Sequence, residues 1–580
     1  MHVFPSEDEV EKAAALLVDT YRVSAQSLGR LFGTKRREQA NSILQALGRD
    51  RLSTRDVARL LIQREGAMLF SGSGRLVREL RQHILNEITD EQVRGLFERN
   101  PPSGKNITAV SRMRKPLSKM KWSSGKRWAR DFVTETGFPA IFAGIEQGEK
   151  VPTIVVVPPL RKPPKLADFQ EGLKKRMLDV LERELDRTRC VVTLPTGGGK
   201  TRVAVEAFID WMQPRFAEGK YLVWIAQSEE LCEQAIACIE QMWGSREFVS
   251  PLRIYRYFGG RDIPAEELRG GAVVTSIQQL HHRVKSRDKA IEDIFSLTGA
   301  MIIDEAHRAV SSMYDTVLDR AEEICNSTLF PICGLTATPG RAGMNSPQEI
   351  VKLVGRFDVH LIKPELGNEY ITDPLRFFRE HKYLAHAHHV VCRSGLEYEL
   401  TDEELGELER VSDLPPRFLK RLAADRERNL LVVRRLLELP RGTPTLVYAC
   451  TVEHAHFLAA ILTAQGRKAV AVSADTSMTI RRGLVQNFKD GKIEFLCNYG
   501  VLTTGFDAPL TECIVLCRPT TREVLYEQII GRGLRGRKFG GTEKCTIIDF
   551  ADNIRRLGPP LAYARFLDFW TVDEAQTDAE

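Results

Sequence analysis

Two series of short apolar runs, each run followed by turn residues or a helical pattern, constrain this chain most. The first series lies at residues 190–194, 221–226, 272–275, 300–304 and 332–335. The second lies at 445–449, 468–472, 493–497, 513–517 and 545–550. Such runs alternating with helices make a parallel sheet with crossover helices. Two series in tandem therefore predict two α/β domains of similar size.

Residues 1–160 have a different texture and read as a mostly α-helical N-terminal domain. Ser6 with Glu9, and Thr89 with Gln92, have the spacing of capping boxes ahead of apolar helical patterns. Residues 27–34 and the pattern after Lys35 give two short helices around a glycine turn. A small helical bundle is the favoured reading, and a helix-turn-helix is the alternative. From residue 101 to 130 there are nine basic residues and no acid, with Trp122 and Trp128 interleaved. Lys105, Arg112, Arg114, Lys115, Lys119, Lys121, Lys126, Arg127 and Arg130 could neutralise phosphates while the indoles stack on bases. The competing reading is a solvated basic loop anchored by its two tryptophans. Prolines 158, 159, 163 and 164 then make an extended joint. The expected division is 1–160 helical, 161–365 first α/β domain, 366–424 linker or accessory insert, 425–570 second α/β domain, and 571–580 a disordered acidic tail.

Composition excludes other classes. A 43% hydrophobic and 28% charged chain is neither fully disordered nor, lacking any run of about 18 apolar residues, membrane-spanning. No signal-peptide pattern opens the sequence. Eleven scattered cysteines without a CxxC pair read as reduced thiols in a cytoplasmic protein. The net charge of +6 says little by itself. His381, His386, His388 and His389 crowd into nine residues. They read as a histidine-rich strand or loop near the domain joint rather than a metal site.

Three segments carry chemistry. Leu194-Pro195-Thr196-Gly197-Gly198-Gly199-Lys200-Thr201 follows a β-like run and opens a helical one. Glycines let backbone N–H groups close on phosphate oxygens, Lys200 can reach the β- and γ-phosphates, and the Thr201 hydroxyl can ligate Mg²⁺. Leucine stands where the strict pattern has its first glycine. The second segment is the apolar run ending in Asp304-Glu305-Ala306-His307. Beside a phosphate-binding loop, Asp304 suits Mg²⁺ and Glu305 suits orienting and deprotonating a water. The third is Gln528-Ile529-Ile530-Gly531-Arg532-Gly533-Leu534-Arg535, whose two arginines lie about one helical turn apart and can stabilise charge on a transferring phosphoryl group.

In order, these segments resemble superfamily-two helicases of the DEAH-box kind over about residues 165–555. Phe169-Gln170 looks like the upstream adenine-reading glutamine. Lys200 and Thr201 match motif I, and Ile225-Ala226-Gln227 with Leu231 and Gln234 looks like motif Ia. Thr275-Ser276-Ile277-Gln278 looks like motif Ib, Asp304–His307 spells motif II, and Thr336-Ala337-Thr338-Pro339 matches motif III. Thr445-Leu446-Val447-Tyr448 looks like motif IV and Thr503-Thr504-Gly505-Phe506-Asp507-Ala508-Pro509 matches motif V. Gln528, Arg532 and Arg535 match motif VI. The forms of motifs V and VI look most like RadD-like repair helicases and type III restriction helicase subunits.

The resemblance implies two tandem RecA-like parallel-sheet domains with ATP and Mg²⁺ between them. Gln170, Thr196, Gly197, Gly198, Gly199, Lys200, Thr201, Asp304, Gly505 and Asp507 would bind nucleotide, with Thr201 and Asp304 holding the metal. Glu305, Gln528, Arg532 and Arg535 would act in hydrolysis. Thr336 and Thr338 would link that site to a nucleic-acid track, expected to carry DNA. An ATP-dependent helicase or translocase in DNA repair or anti-phage defence follows. Its alternatives are a duplex translocase without strand separation and a nucleotide-switched binding subunit of a multi-protein complex. The N-terminal domain is expected to load substrate or dock a protein partner. Type III subunits carry a nuclease after the motor; with 45 residues following Arg535, no such nuclease is expected here.

Overall fold

Capping chemistry builds the N-terminal region as its sequence predicts. Ser6 with Glu9 and Thr89 with Gln92 close reciprocal capping boxes, and Ser53 with Asp56 closes a third. The computed structural model describes residues 5–101, 107–144, 154–157, 165–183, 187–246, 251–325, 330–337, 347–370, 373–411, 413–474, 476, 478–502, 508–555 and 571–575. Among the described residues eight α-helices lead: α1 (Glu7–Ala15), α2 (Ala25–Phe32), α3 (Thr34–Ala46), α4 (Thr54–Glu65), α5 (Arg75–Glu87), α6 (Asp90–Arg99), α7 (Val110–Ser118) and α8 (Arg127–Glu135). Their core is aromatic. Phe70 lies edge-on to Phe132 and Phe138, and Trp122 and Trp128 both lie edge-on to Phe132.

That core decides between the readings offered for this region. Trp122 and Trp128 are buried among these rings, so they anchor the basic segment and do not stack on bases. The bundle reading also holds over the helix-turn-helix. Gly33, at φ +104°, turns the chain between α2 and α3, but α3 is sandwiched between α2 and the second α/β domain.

The first sheet contains β1 (Ile154–Val157), β2 (Arg189–Thr193), β3 (Tyr221–Ala226), β4 (Leu252–Tyr257), β5 (Gly271–Ser276), β6 (Thr298–Asp304), β7 (Ile332–Thr336) and β8 (Leu361–Ile362). Its order is β1-β4-β5-β3-β6-β7-β2-β8, parallel except for β1 against β4. The helices of this lobe are α9 (Asp168–Leu181), α10 (Lys200–Met212), α11 (Glu229–Trp243), α12 (Ile277–Lys285), α13 (Lys289–Ser296), α14 (Ser312–Cys325) and α15 (Pro347–Arg356). Residues 154–157 fall in the expected helical division 1–160; they instead form an edge strand of this sheet.

The second sheet contains β9 (His386–Glu399), β10 (Thr445–Tyr448), β11 (Ala469–Val472), β12 (Phe495–Asn498), β13 (Cys513–Leu516), β14 (Lys544–Arg555) and β15 (Thr571–Ala575). It is parallel throughout, ordered β11-β12-β10-β13-β14-β9-β15. Around it lie α16 (Pro374–Glu380), α17 (Asp402–Val411), α18 (Pro416–Ala424), α19 (Arg426–Glu438), α20 (Val452–Ala464), α21 (Met478–Lys489) and α22 (Glu523–Ile530). Residues 366–424 are thus no separate insert, because β9 pairs with β14 along its length. Of the expected disordered tail, Thr571–Ala575 adds an edge strand to β9, and residues 576–580 lie outside the described residues.

These are two RecA-like domains preceded by a helical one. The helical domain precedes lobe 1 in sequence but packs on lobe 2. Its α3 meets α19 and α20, its α4 meets α20 and β11, and side chains of both domains share one hydrophobic core. A cleft of about 590 Å³ remains beside this contact, lined by Arg36, Arg64 and His456 among others. Among the described residues no helix is long and apolar enough to cross a membrane.

Candidate active site

Parallel strands deliver their C-terminal ends to one edge of a sheet, and loops at that edge collect ligand-binding groups. In lobe 1, β6, β7 and β2 are adjacent there. Thr193 is level with Thr336, and Asp304 is level with Leu335. Sequence segments more than a hundred residues apart therefore meet.

The loop after β2 turns on glycine. Gly197 and Gly199 sit at φ +86° and +87°, and Gly199 caps α10. Lys200 opens α10, and its Nζ donates back to the Leu194 and Pro195 carbonyls at 3.0 and 3.5 Å. Burial lowers the pKa of Lys200 below the usual lysine range; Glu305 and Asp304 oppose that shift and Arg532 reinforces it. Gln170 is 1% exposed. Its Oε1 accepts from the Ala167 N–H and its Nε2 donates to the Gly198 carbonyl, both at 3.0 Å. Both ends of the amide are thus committed to the chain. One N–H and one oxygen lone pair of the amide remain beyond these two bonds.

Asp304 closes β6 and is buried. Burial, then the charge of Glu305, pushes its pKa up to about 7, against the pull of Lys200 and Arg532. Glu305 adopts a left-handed conformation at φ +52°, an uncommon state for a non-glycine residue and a mark of a constrained turn. Its Oε2 lies 3.3 Å from His307 Nδ1, which lies 3.1 Å from the Thr336 hydroxyl. A polar chain thus joins the end of β7 to the carboxylate pair. Two adjacent acids, one penalised for its charge by burial, fit a divalent cation, which would relieve that penalty.

Lobe 2 supplies the other wall. Gly531 packs so closely on Thr196 that an added Cβ would lie 2.6 Å from the Thr196 Cβ. A Cβ on Gly197 would lie 3.9 Å from the Arg535 Cα and 3.5 Å from Leu384 Cδ2. Arg532 bonds through Nε to the Gln528 carbonyl at 3.1 Å, and its charge acts on both Lys200 and Asp304. The Gln528 amide nitrogen is buried without a hydrogen-bond partner among the described residues. Arg481 pairs with Glu230, and Arg482 pairs with Glu233 at 3.1 Å, joining α21 to α11 across the same seam. The structure therefore brings together Gln170, Thr196–Thr201, Asp304, Glu305, Gln528, Arg532 and Arg535. Thr338, Gly505 and Asp507 lie outside the described residues.

Sequence reasoning missed three supports. Phe377, Phe378 and Tyr383, from the segment before β9, pack edge-on around Phe169, next to Gln170. Asp413 accepts from Arg518 at 2.9 Å, the Thr520 hydroxyl at 2.9 Å and the Thr521 N–H at 3.3 Å, fixing the loop that enters α22. Asp549 accepts from Tyr526 of α22 at 2.6 Å and sits 2.6 Å from His389. His389 was visible as part of the histidine cluster, while Asp413 carried no sequence signal.

The tightness of the seam gives a direct test. Gly531→Ala is expected to hold the lobes apart and lower ATP turnover on the order of 10²-fold, the scale of an ångström-level misplacement. Steady-state hydrolysis beside nucleotide affinity checks this. A variant with normal turnover would mean the Gly531–Thr196 contact is not needed for hydrolysis.

Family models match segments of both sheet domains. Residues 164–341 match the family model "Type III restriction enzyme, res subunit", and residues 428–537 match "Helicase conserved C-terminal domain". IRC3 of Saccharomyces cerevisiae is 27% identical over 67% of this chain and 51% of its own length. The protein irc3 of Schizosaccharomyces pombe is 25% identical over 68% of this chain and 58% of its own. Both carry "ATP-dependent helicase" in their names, and the second carries "mitochondrial". The chain thus spans little more than half the length of these two relatives. Among solved structures, S. cerevisiae Dbp5 bound to RNA and ADP BeF3 aligns with a TM-score of 0.47, at 14% identity, over 71% of this chain and 94% of its own.

Proposed function

We propose that this chain, a superfamily-two helicase resembling type III restriction Res subunits, couples ATP hydrolysis at the seam of its two lobes to movement along DNA. The observation that carries the reading is the closeness of the seam. Gly531 of lobe 2 packs on Thr196 of the phosphate loop and Gly197 lies against Arg535, with the charge of Arg532 felt at Lys200 and Asp304. DNA, rather than RNA, is supported by the match to a restriction-enzyme subunit. Repair or phage defence is the role the sequence resemblance suggests, and the scattered cysteines support a cytoplasmic setting.

In this mechanism the N–H groups of residues 197–199 and the Lys200 ammonium hold the β- and γ-phosphates. On binding, Lys200 exchanges its bonds to Leu194 and Pro195 for phosphate oxygens. Thr201 and Asp304 would hold Mg²⁺, which when bound supplies positive charge to the phosphates. Glu305 orients the attacking water and takes its proton, with His307 beside it and Thr336 behind. Arg532 and Arg535 meet charge developing on the transferring group, and Gln528 offers its buried amide nearby. Gln170 positions the phosphate loop through Gly198. Gly505 and Asp507 belong to the ribose side by resemblance alone. Because the arginines and the lysine stand on different lobes, hydrolysis requires closure, and each cycle of closure advances the strand.

The test is ATP turnover with and without DNA. Glu305→Gln is expected to lower kcat by about 10²–10⁴-fold, the usual contribution of a general base, with nucleotide still bound. Lys200→Ala is expected to lose nucleotide binding itself. Native protein that binds nucleotide but never hydrolyses it, whatever nucleic acid is added, would favour the nucleotide-switched binding subunit.

A further inference from the structure

The helical domain carries a feature the motor does not use. Arg112 and Lys115 of α7 and Lys119 just beyond it are spaced three and four apart, which places them on one face. The opposite face buries Met113 and Leu117. Lys121 continues the exposed row, and Lys126 and Arg127 extend it to the start of α8; all six are exposed. Arg112, Lys115, Lys119 and Lys121 make no ion pair among the described residues. Arg114, which points the other way, is consumed structurally: it pairs with Asp90 at 2.6 Å and donates to the Ile88 carbonyl at 3.2 Å. On α8, Asp131 accepts from Asn100 at 2.7 Å and pairs with Arg127 at 3.8 Å, and Glu135 pairs with Arg99.

Two further observations bear on the partner. Of the large apolar side chains of this stretch, Met113, Leu117, Trp122 and Trp128 are buried, and Met120 is half-buried against the same core. A protein-binding surface is usually centred on an exposed aromatic or aliphatic anchor, and a phosphate backbone needs none. The buried tryptophans also fix the backbone beside Lys121 and Arg127, so the cations are presented with part of their ordering cost already met. The face lies on α7 and α8, which pack on α5, α6 and the turn at Ala140–Ala143, whereas α3 and α4 make the contact with lobe 2.

We propose that this face is a second DNA-backbone contact, for the duplex flanking the motor's strand, and that it travels with lobe 2. The inference rests on the helicase reading for its substrate but not for its measurement, which needs no hydrolysis. The probe is a labelled DNA fork with a duplex arm, beside a single strand of equal length, titrated with full-length protein across a salt series. Substituting serine at Arg112, Lys115, Lys119 and Lys121 together should reduce the slope of log affinity against log salt on the fork. The expected loss is about 0.9 for each phosphate contact removed. The single strand should show no change. Arginine at the three lysine positions should keep the native slope, and a thermal melt verifies folding of both variants. An unchanged slope on the fork overturns the proposal. So does an equal fall on the single strand, which would put these cations on the motor's own track. Loss of binding to polyglutamate with DNA binding intact would mark an acidic-protein surface and also overturn it. Absence of ATP turnover in the native protein would sink the motor reading while leaving this measurement intact.

Discussion

Arg532→Ala is expected to slow ATP hydrolysis by about 10³–10⁵-fold, the range that a transition-state arginine supplies in other phosphoryl-transfer enzymes. Nucleotide affinity should change far less, because the phosphate loop and Lys200 belong wholly to lobe 1. The expectation follows from position. Arg532 lies just past the C-terminal end of α22, where its Nε is held by the Gln528 carbonyl. Its charge acts on Lys200 and Asp304, residues of the opposite lobe. Lysine is not expected to rescue, since a point charge on a flexible stem cannot reproduce a guanidinium already held by its Nε. Single-turnover hydrolysis beside equilibrium binding of a fluorescent nucleotide separates chemistry from affinity. A loss below tenfold would remove Arg532 from the chemistry and shift attention to Arg535, whose backbone bridges to Leu384 behind Gly197.

Legibility from sequence followed the locality of the signal. The phosphate loop and the acids after β6 were readable because each needs several residue types at fixed spacing within eight positions. Buried strands such as β3 and β10 were readable because burial on both faces leaves continuous apolar runs. β9 was only partly so: its histidine-rich start reads as a strand or loop, and its far half alternates exposed and half-buried positions. Only its pairing with β14 makes it a strand of lobe 2. The basic segment misled over its tryptophans: composition cannot distinguish an indole facing a base from one facing Phe70 and Phe132. The docking of the helical domain on lobe 2 was equally hidden, since that contact joins segments about four hundred residues apart and uses ordinary apolar helix faces.

Removing the Asp552 carboxylate should cost about 3–5 kcal/mol, because it would leave a buried arginine without its counter-charge. Arg428 and Asp552 are both fully buried in lobe 2, with Nε and Nη2 of the arginine donating to the carboxylate at 2.8–3.0 Å. Burial alone lowers the pKa of Arg428, and Asp552 more than reverses the shift. The same guanidinium donates to the Cys517 carbonyl at 2.6 Å, where β13 ends and the loop toward α22 begins. Chemical denaturation of Asp552→Ala should therefore show a much lower midpoint. The double variant Arg428→Met with Asp552→Leu should recover most of that loss, since a packed apolar pair replaces an ion pair at little or no net cost. Hydrolysis by the double variant then separates two roles. Native turnover would mean the pair only fills space beneath the site. Turnover that stays low in a protein of restored stability would mean that the bond to Cys517 sets the loop Asp413 holds, and through it the placement of Gln528 and Arg532. A double variant as unstable as the single would show that the cost lies in lost packing rather than in the unpaired charge.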